Sequence, residues 1–396
     1  MGSSLLSTLL LLLIALLLAR LTASQLARWA VPAIVLELLV GFVVGNTVLP
    51  YHRIAPLAGL TELGVLSLFF LVGVEVRGGL LGSRPAAVVR TVLLSALAPL
   101  LLWWPLQCGF GLSTPVTLLW LAVLSATGTG VTLRALAQAG ALQSPSARLL
   151  VGVSVLDDLP AIALLTVSLG MGGRSASAAG GWAAAPLLGA ALIALSLLAS
   201  RWWRRRYGPW QPQLLGVLIL LVAASWFGEL SGLTSLLGAL WGGVLLTRLV
   251  AHPEGEPEME RLKGQLALLS EVFLPLYFLS VGMRVQASSL LQPGAWWMAL
   301  VLLVLAVASK LVCGLGVSAL DRAAGVDRRL VVYGLIPRGV PGLVFASTAL
   351  AGGVITPPQY AALVLMVSAT TVLGLLLLGR RLTRPIGEEA RLSTLP

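Results

Sequence analysis

Long apolar runs recur through this chain, and they restrict its fold more than any other feature. They fall at about 4–19, 30–49, 57–76, 86–108, 115–136, 148–170, 182–200, 212–230, 232–249, 265–284, 294–318, 329–351 and 357–379. A helix crosses the hydrocarbon of a bilayer in about 20 residues and a barrel strand in about 10, so these runs read as transmembrane helices. Charged residues make up 10% of the chain, against roughly 25% in a water-soluble domain. The sequence therefore predicts an all-α polytopic membrane protein of about 13 spans. Its first run, LLSTLLLLLIALLLAR, has no basic n-region and no small-residue cleavage site, and reads as a retained helix. Cys108 and Cys313 lie in apolar surroundings and give no disulfide framework.

A net charge of +11 raises the question of nucleic acid, but the arginines are spread among hydrophobic runs rather than gathered in a patch. Numbering the loops alternately sorts them. Of the 26 arginines and lysines, Arg53, Arg174 and Arg284 fall on one side, Lys310 and Arg338 lie inside spans, and the other 21 fall on the opposite side. A miscount by one helix would scramble that alternation. The positive-inside rule then puts the N-terminus outside and the C-terminus in the cytoplasm, with no nucleic-acid partner implied.

Two pairs of segments echo each other. LELLVGFVVG (36–45) in the second span and LTSLLGALWG (233–242) in the ninth share L-x-x-L-x-G-x-x-x-G. FFLVGVEV (69–76) in the third resembles YFLSVGMRV (277–285) in the tenth, with one residue inserted. Both pairs are separated by an odd number of helices, so the copies face opposite ways. Spans 1–6 and 8–13 thus read as inverted six-helix repeats joined by span 7, a pattern of secondary transporters that bind substrate near the midplane. The fifth helix of each repeat is broken at mid-depth, by SATGTGVT (125–132) and IPRGVPG (336–342). Pro341 lacks a backbone N–H, and unwound backbone frees carbonyls for a cation.

Four ionisable residues stand deep in predicted spans: Asp157, Asp158, Lys310 and Arg338. Such groups face a cavity or one another. Neighbours on a helix point about 100° apart, so one aspartate can pair with Lys310 while the other faces an aqueous funnel. Two carboxylates and one ammonium leave one net negative charge, suited to one small cation. A poorly solvated carboxylate also holds protons more tightly than in water, so proton and metal ion compete for it. Exclusive occupancy combined with alternating access gives antiport. The structural alternative is a buried ion pair that locks two helices; for Arg338 it is neutralisation of helix ends at the break. Glu37, Glu62, Glu75 and Glu271 flank or enter spans without a decisive role, and His52 and His252 read as loop bystanders. PEGEPEMERLK (253–263) reads as a solvated cytoplasmic loop, and GFVVG and GALWG as packing motifs within the fold.

The chain resembles bacterial sodium/proton antiporters of the cation–proton antiporter superfamily, NapA-like branch. The likeness rests on ELGVLSLFFLVGVEVR (62–77), TGTGVTLRALAQAG (127–140), LDDLPAIALL (156–165), FLPLYFLSVGMRV (273–285), SKLVCGLG (309–316), PRGVPGLVFASTAL (337–350) and QYAALVLMVSATT (359–371). The resemblance implies a homodimer in the bacterial inner membrane, serving pH homeostasis, whose core moves like an elevator. Dimerisation-side helices would lie in 1–85 and 211–290, core helices in 86–170 and 291–379, a linker helix in 171–210 and a cytoplasmic tail in 380–396. It makes Asp158 the main ion carrier, associates Asp157 with Lys310, and sets Thr127 beside the ion. Na+ (or Li+) held by Asp158 and Asp157 is the cargo, and the aspartate pair is similar to that of the electrogenic subgroup. Relatives usually carry R-G-E-x-G in the second broken helix; here Val340 follows Arg338–Gly339. That substitution bears on how Arg338 is neutralised. The alternatives are a K+/H+ antiporter of the same fold, a Na+-coupled organic-anion symporter, or a channel or scaffold. No Walker-type motif is present, and the chain reads as a carrier rather than an enzyme, with no cofactor.

Overall fold

A computed structural model describes residues 5–26, 32–76, 84–128, 132, 135–136, 139, 141, 144–172, 181–208, 210, 213–230, 235–250 and 256–382. Its principal helices are α1 (Leu5–Leu26), α2 (Ala33–Thr47), α3 (Ala58–Val76), α4 (Pro85–Leu100), α5 (Trp103–Phe110), α6 (Thr114–Ser125), α7 (Pro145–Gly172) and α8 (Gly181–Tyr207). They continue as α9 (Leu214–Leu230), α10 (Ser235–Leu249), α11 (Glu256–Met283), α12 (Pro293–Cys313), α13 (Ala319–Ala323), α14 (Arg328–Leu335), α15 (Gly339–Ala351) and α16 (Pro357–Leu382). No strand occurs among the described residues. A helix occupies at least part of each expected span, and seven helical stretches among the described residues are long and apolar enough to cross a membrane.

Three differences from the sequence reading have physical causes. The run 86–108 is two helices, α4 and α5, separated at Leu101–Leu102 just after Pro99, which lies inside α4 and lacks the N–H that would continue the ladder. The segment read as a solvated loop is helical from Glu256 onward, with His252 and residues 253–255 outside the described set. Its residues are good helix formers, Lys263 pairs with Glu260 at 2.6 Å, and Leu262 and Leu266 bury against Val217, Leu221 and Leu246. The third difference is the register of the repeat, set by the glycine contacts below.

The helices pack in two groups: α1, α2, α3, α9, α10 and α11 against one another, and α4, α6, α7, α12, α14, α15 and α16 against one another. In the first group, a Cβ on Gly41 of α2 would strike the backbone of Leu279 in α11, and one on Gly282 of α11 would strike that of Leu38 in α2. The same reciprocal contact joins α3 to α10, where Gly73 lies on the backbone of Leu240 and Gly243 on that of Phe70. Gly73 and Gly282 correspond, as the sequence match had them. Gly41, matched in sequence to Gly238, corresponds in its contacts to Gly243. Small residues let helix backbones approach where lipid supplies no hydrophobic drive to hold them together.

Basic loops meet loops of the same expected side. Arg84 and Arg90 pair with Asp321 at 2.9 and 2.7 Å, Arg381 pairs with Asp327 at 2.6 Å, and Arg204 donates to the carbonyl of Arg248. Arg284, expected on the other side with Arg53, stacks on Tyr51 at 4.3 Å. Asp321 closes a capping box with Ser318 at the start of α13. Burial of its carboxyl, which alone would raise the pKa, is outweighed by bonds from the Ser318 hydroxyl and amide and by the two guanidiniums. The carboxyl is therefore held below the ordinary carboxylate range.

Two outcomes are expected. Alanine at Gly41, Gly73, Gly243 or Gly282 should cost about 1–3 kcal/mol each through overpacking, read as a lower unfolding temperature in detergent. Gly264→Ala, at a site with nothing within reach, should not lower it; equal behaviour of all five would refute tight helix contact. A depressed folded pKa at Asp321 gives stability that is present above the unfolded value and lost as pH falls through the folded one. The stability difference between wild type and Asp321→Asn should thus shrink between about pH 5 and pH 2, and a difference that grows on acidification would contradict the assignment.

Candidate functional site

The two broken helices meet backbone to backbone. α6 stops at Ser125, and Ala126 continues extended with φ −54° and ψ 149°. α14 stops at Leu335, and the chain passes through Pro337 and Arg338 before α15 starts at Gly339, whose φ of +45° favours glycine. The Gly128 amide donates to the Pro337 carbonyl, and a Cβ on Gly128 would lie 2.6 Å from the amide nitrogen of Gly339. Pro341 falls in the first turn of α15, where a missing N–H costs nothing. The second half of the first broken helix lies largely outside the described residues.

Charges gather at this crossing. Lys310, in the last turn of α12, is fully buried and donates to the Ser125 carbonyl at 2.8 Å, the Thr127 hydroxyl at 2.8 Å and Asp157 Oδ2 at 3.2 Å. It also donates to the Ser95 hydroxyl on α4. Asp157 on α7 is likewise fully buried, and its Oδ2 accepts from the Thr127 hydroxyl as well. Its Oδ1 has no hydrogen-bond donor among the described residues. Arg338, also fully buried, donates to the carbonyls of Ala126 at 2.9 Å and Ala306 at 2.8 Å, and to the Ser309 hydroxyl at 3.3 Å. Thus a lysine and an arginine satisfy the last carbonyls of α6, which would otherwise be orphaned at the negative end of the helix dipole.

The structure therefore brings together Asp157, Thr127, Lys310 and Arg338. Asp158 follows Asp157 in α7, but its side chain lies outside the described residues, as does that of Glu75. Val340, in place of the usual glutamate, packs against the apolar core, and the donors of Arg338 go to backbone oxygens and a serine. Glu37 is buried on α2, while Glu62, Glu271 and His52 are exposed.

Two residues escaped the sequence reading. Ser95 is one serine in an apolar helix, and a helical serine usually bonds its own preceding turn, so no pattern marked it. Arg284, at the end of α11, stacks on and donates to Tyr51 and donates to the Ser347 hydroxyl of α15 at 2.9 Å, so it links the two helix groups. Beside it opens a cavity of about 550 Å³ whose lining includes Asn46, His52, Arg284 and Gln286. A signal was available for Arg284: it stands where the first repeat has Glu75, counted from Gly73 and Gly282.

Fold and site together define a polytopic membrane protein in which two interrupted helices cross beside a buried ion pair. The chain belongs to the transmembrane sodium/hydrogen exchanger family, whose sequence model matches residues 9–379. It is 30% identical over 335 residues to the high-affinity Na+/H+ antiporter NhaS3 of Synechocystis, covering 79% of this chain and 68% of that one. It is 23% identical over 367 residues to the Na+/H+-K+ antiporter GerN of Bacillus cereus, covering 89% and 91%. The solved sodium/proton antiporter MjNhaP1 of Methanocaldococcus jannaschii superposes with a TM-score of 0.71 at 20% identity, covering 98% of this chain and all of that one, and so shares the fold. The resemblance drawn from the motifs is borne out.

Lys310→Met should destabilise the protein by about 3–5 kcal/mol, because it leaves the Asp157 carboxylate buried without its cation. Adding Asp157→Asn should recover most of that loss in thermal unfolding. Simple addition of the two single losses would mean that the pair is not energetically coupled.

Proposed function

We propose that this protein is a secondary antiporter that exchanges Na+ (or Li+) for H+ across the bacterial inner membrane. The observation that carries the reading is the half-occupied carboxylate of Asp157. One oxygen is held by Lys310 and Thr127, while the other has no donor among the described residues, in a chain of the sodium/hydrogen exchanger family. Asp158, one residue on in α7, is the main carrier, and Asp157 and Thr127 complete an oxygen-donor site for a hard monovalent cation. Cation and proton occupy it exclusively. When Asp157 takes a proton its attraction for Lys310 falls, so the lysine couples to the exchange as a second titrating group. Two protons moving per sodium would make the exchange electrogenic.

The division of the helices into two groups supports an elevator. The group holding the crossing (α4, α6, α7, α12, α14, α15, α16) slides as a unit against the group packed through glycines, and α8 joins the repeats. Thirteen crossings, with the N-terminus outside, follow from the loop charges. Exposed Leu6, Leu10, Leu13 and Leu17 on α1 and Leu215, Ile219 and Trp226 on α9 offer the glycine-packed group a face for a second copy or for lipid. A K+/H+ antiporter is the second reading, favoured by the similarity to GerN, a Na+/H+-K+ antiporter.

The test is sodium-driven proton efflux from tight proteoliposomes loaded with purified protein. Wild type should acidify the outer medium under an inward sodium gradient, and Asp158→Asn should abolish the signal. Flux with potassium alone would change the substrate and keep the mechanism. No proton movement with any alkali cation would sink the antiporter.

A further inference from the structure

A second concentration of charge lies far from the crossing, at the end of α8. There the chain reads RWWRRRY (201–207), with Arg204, Arg205 and Arg206 in the last helical turn. α8 is tied to α10 at two levels. Trp241 donates its indole N–H to the Ser196 hydroxyl at 2.9 Å, and Arg204 donates to the Arg248 carbonyl at 3.3 Å. Between those ties and the helix end is a pocket of about 220 Å³ lined by Ser200, Arg201, Arg204 and Arg248. The ion pairs among the described residues include none of Arg201, Arg204, Arg205, Arg206 or Arg248. The Nε of Arg248 is buried and has no hydrogen-bond partner among them.

Three guanidiniums converging on one small space repel each other unless an anion joins them. Their planar forks fit the oxygens of a phosphate in a bidentate way. The surroundings say what carries that phosphate. Leu198 and Leu195, about one and two turns before the pocket, are 60% and 62% exposed, so an apolar track leads from the pocket toward the membrane centre. Trp202, Trp203 and Tyr207 are exposed beside it, as amphipathic rings are at the level of lipid headgroups. A free phosphate would use the arginines alone; a phospholipid uses the arginines and the track.

We propose that Arg201, Arg204 and Arg248 hold the headgroup phosphate of one anionic phospholipid, whose acyl chain lies along Leu198 and Leu195. The inference does not rest on the transport reading, and its test reads lipid binding alone. Arg205 and Arg206 do not line the pocket, so they separate a site from general attraction between a basic helix end and an anionic membrane.

The experiment is native mass spectrometry of delipidated full-length protein in detergent, titrated with phosphatidylglycerol, phosphatidylcholine or inorganic phosphate. Wild type should retain one phosphatidylglycerol per chain, with at least about a tenfold preference over phosphatidylcholine, the ratio that 1.4 kcal/mol provides. Arg201→Gln/Arg204→Gln should lose that preference, and Arg205→Gln/Arg206→Gln should keep it. Arg201→Gln alone, which removes no hydrogen bond among the described residues, serves if the double variant fails to fold. Equal loss in the two double variants would reduce the cluster to surface charge and overturn the site. So would the absence of any preference over phosphatidylcholine, and so would displacement of the lipid by inorganic phosphate at equal concentration.

Discussion

The organisation of this protein depends on a buried ammonium. Lys310 is enclosed where water does not solvate it, so its charge must be met by protein oxygens, and those come from three other segments: Ser95 on α4, Ser125 and Thr127 at the end of α6, and Asp157 on α7. An unpaired charge at that depth would cost several kcal/mol. Its neutralisation therefore fixes how four parts of the chain lie together. It also explains why the α6 helix ends where it does, since its last carbonyls are needed as acceptors.

The glycine-packed group solves a different problem. Its helices touch through backbone at Gly41, Gly73, Gly243 and Gly282, and no ion pair among the described residues joins two of them. Close backbone packing gives a rigid body with little tolerance for change, whereas a charge network can rearrange when a proton or cation arrives. Glycine contacts occur in both groups, as at Gly128 on Gly339, but the buried charge network lies in only one of them. Arg284 is a place where the two kinds of packing are bridged.

Most of the architecture was legible because hydrophobic length and loop charge are properties of single segments. The helices follow the apolar runs, and the crossing follows from glycine and proline at matched places in two of them. What was missed depends on partners distant in sequence. The register of Gly41 needed its contact with Leu279, since a leucine-rich helix matches another at several offsets. The helical start of α11 needed the burial of Leu262 and Leu266, because glutamate, proline and lysine in a row otherwise read as solvent-exposed. Ser95 lies 215 residues from the lysine it accepts from. Of the candidate site, Asp157, Lys310 and Arg338 were named from their chemistry and Thr127 from the family resemblance, and the structure gathers them at the crossing.

The apolar Val340 beside Arg338 and Gly339 has a consequence for what ionises at the break. The hydrogen-bond partners of Arg338, the carbonyls of Ala126 and Ala306 and the Ser309 hydroxyl, include no carboxylate. These hydrogen bonds at the break therefore form a frame that is indifferent to proton concentration. The buried ion pair of Asp157 and Lys310 lies to one side of that frame, on α7 and α12. Under the proposed exchange, the occupancy of the carboxylates would change while the Arg338 bonds that hold the helix ends keep the same partners.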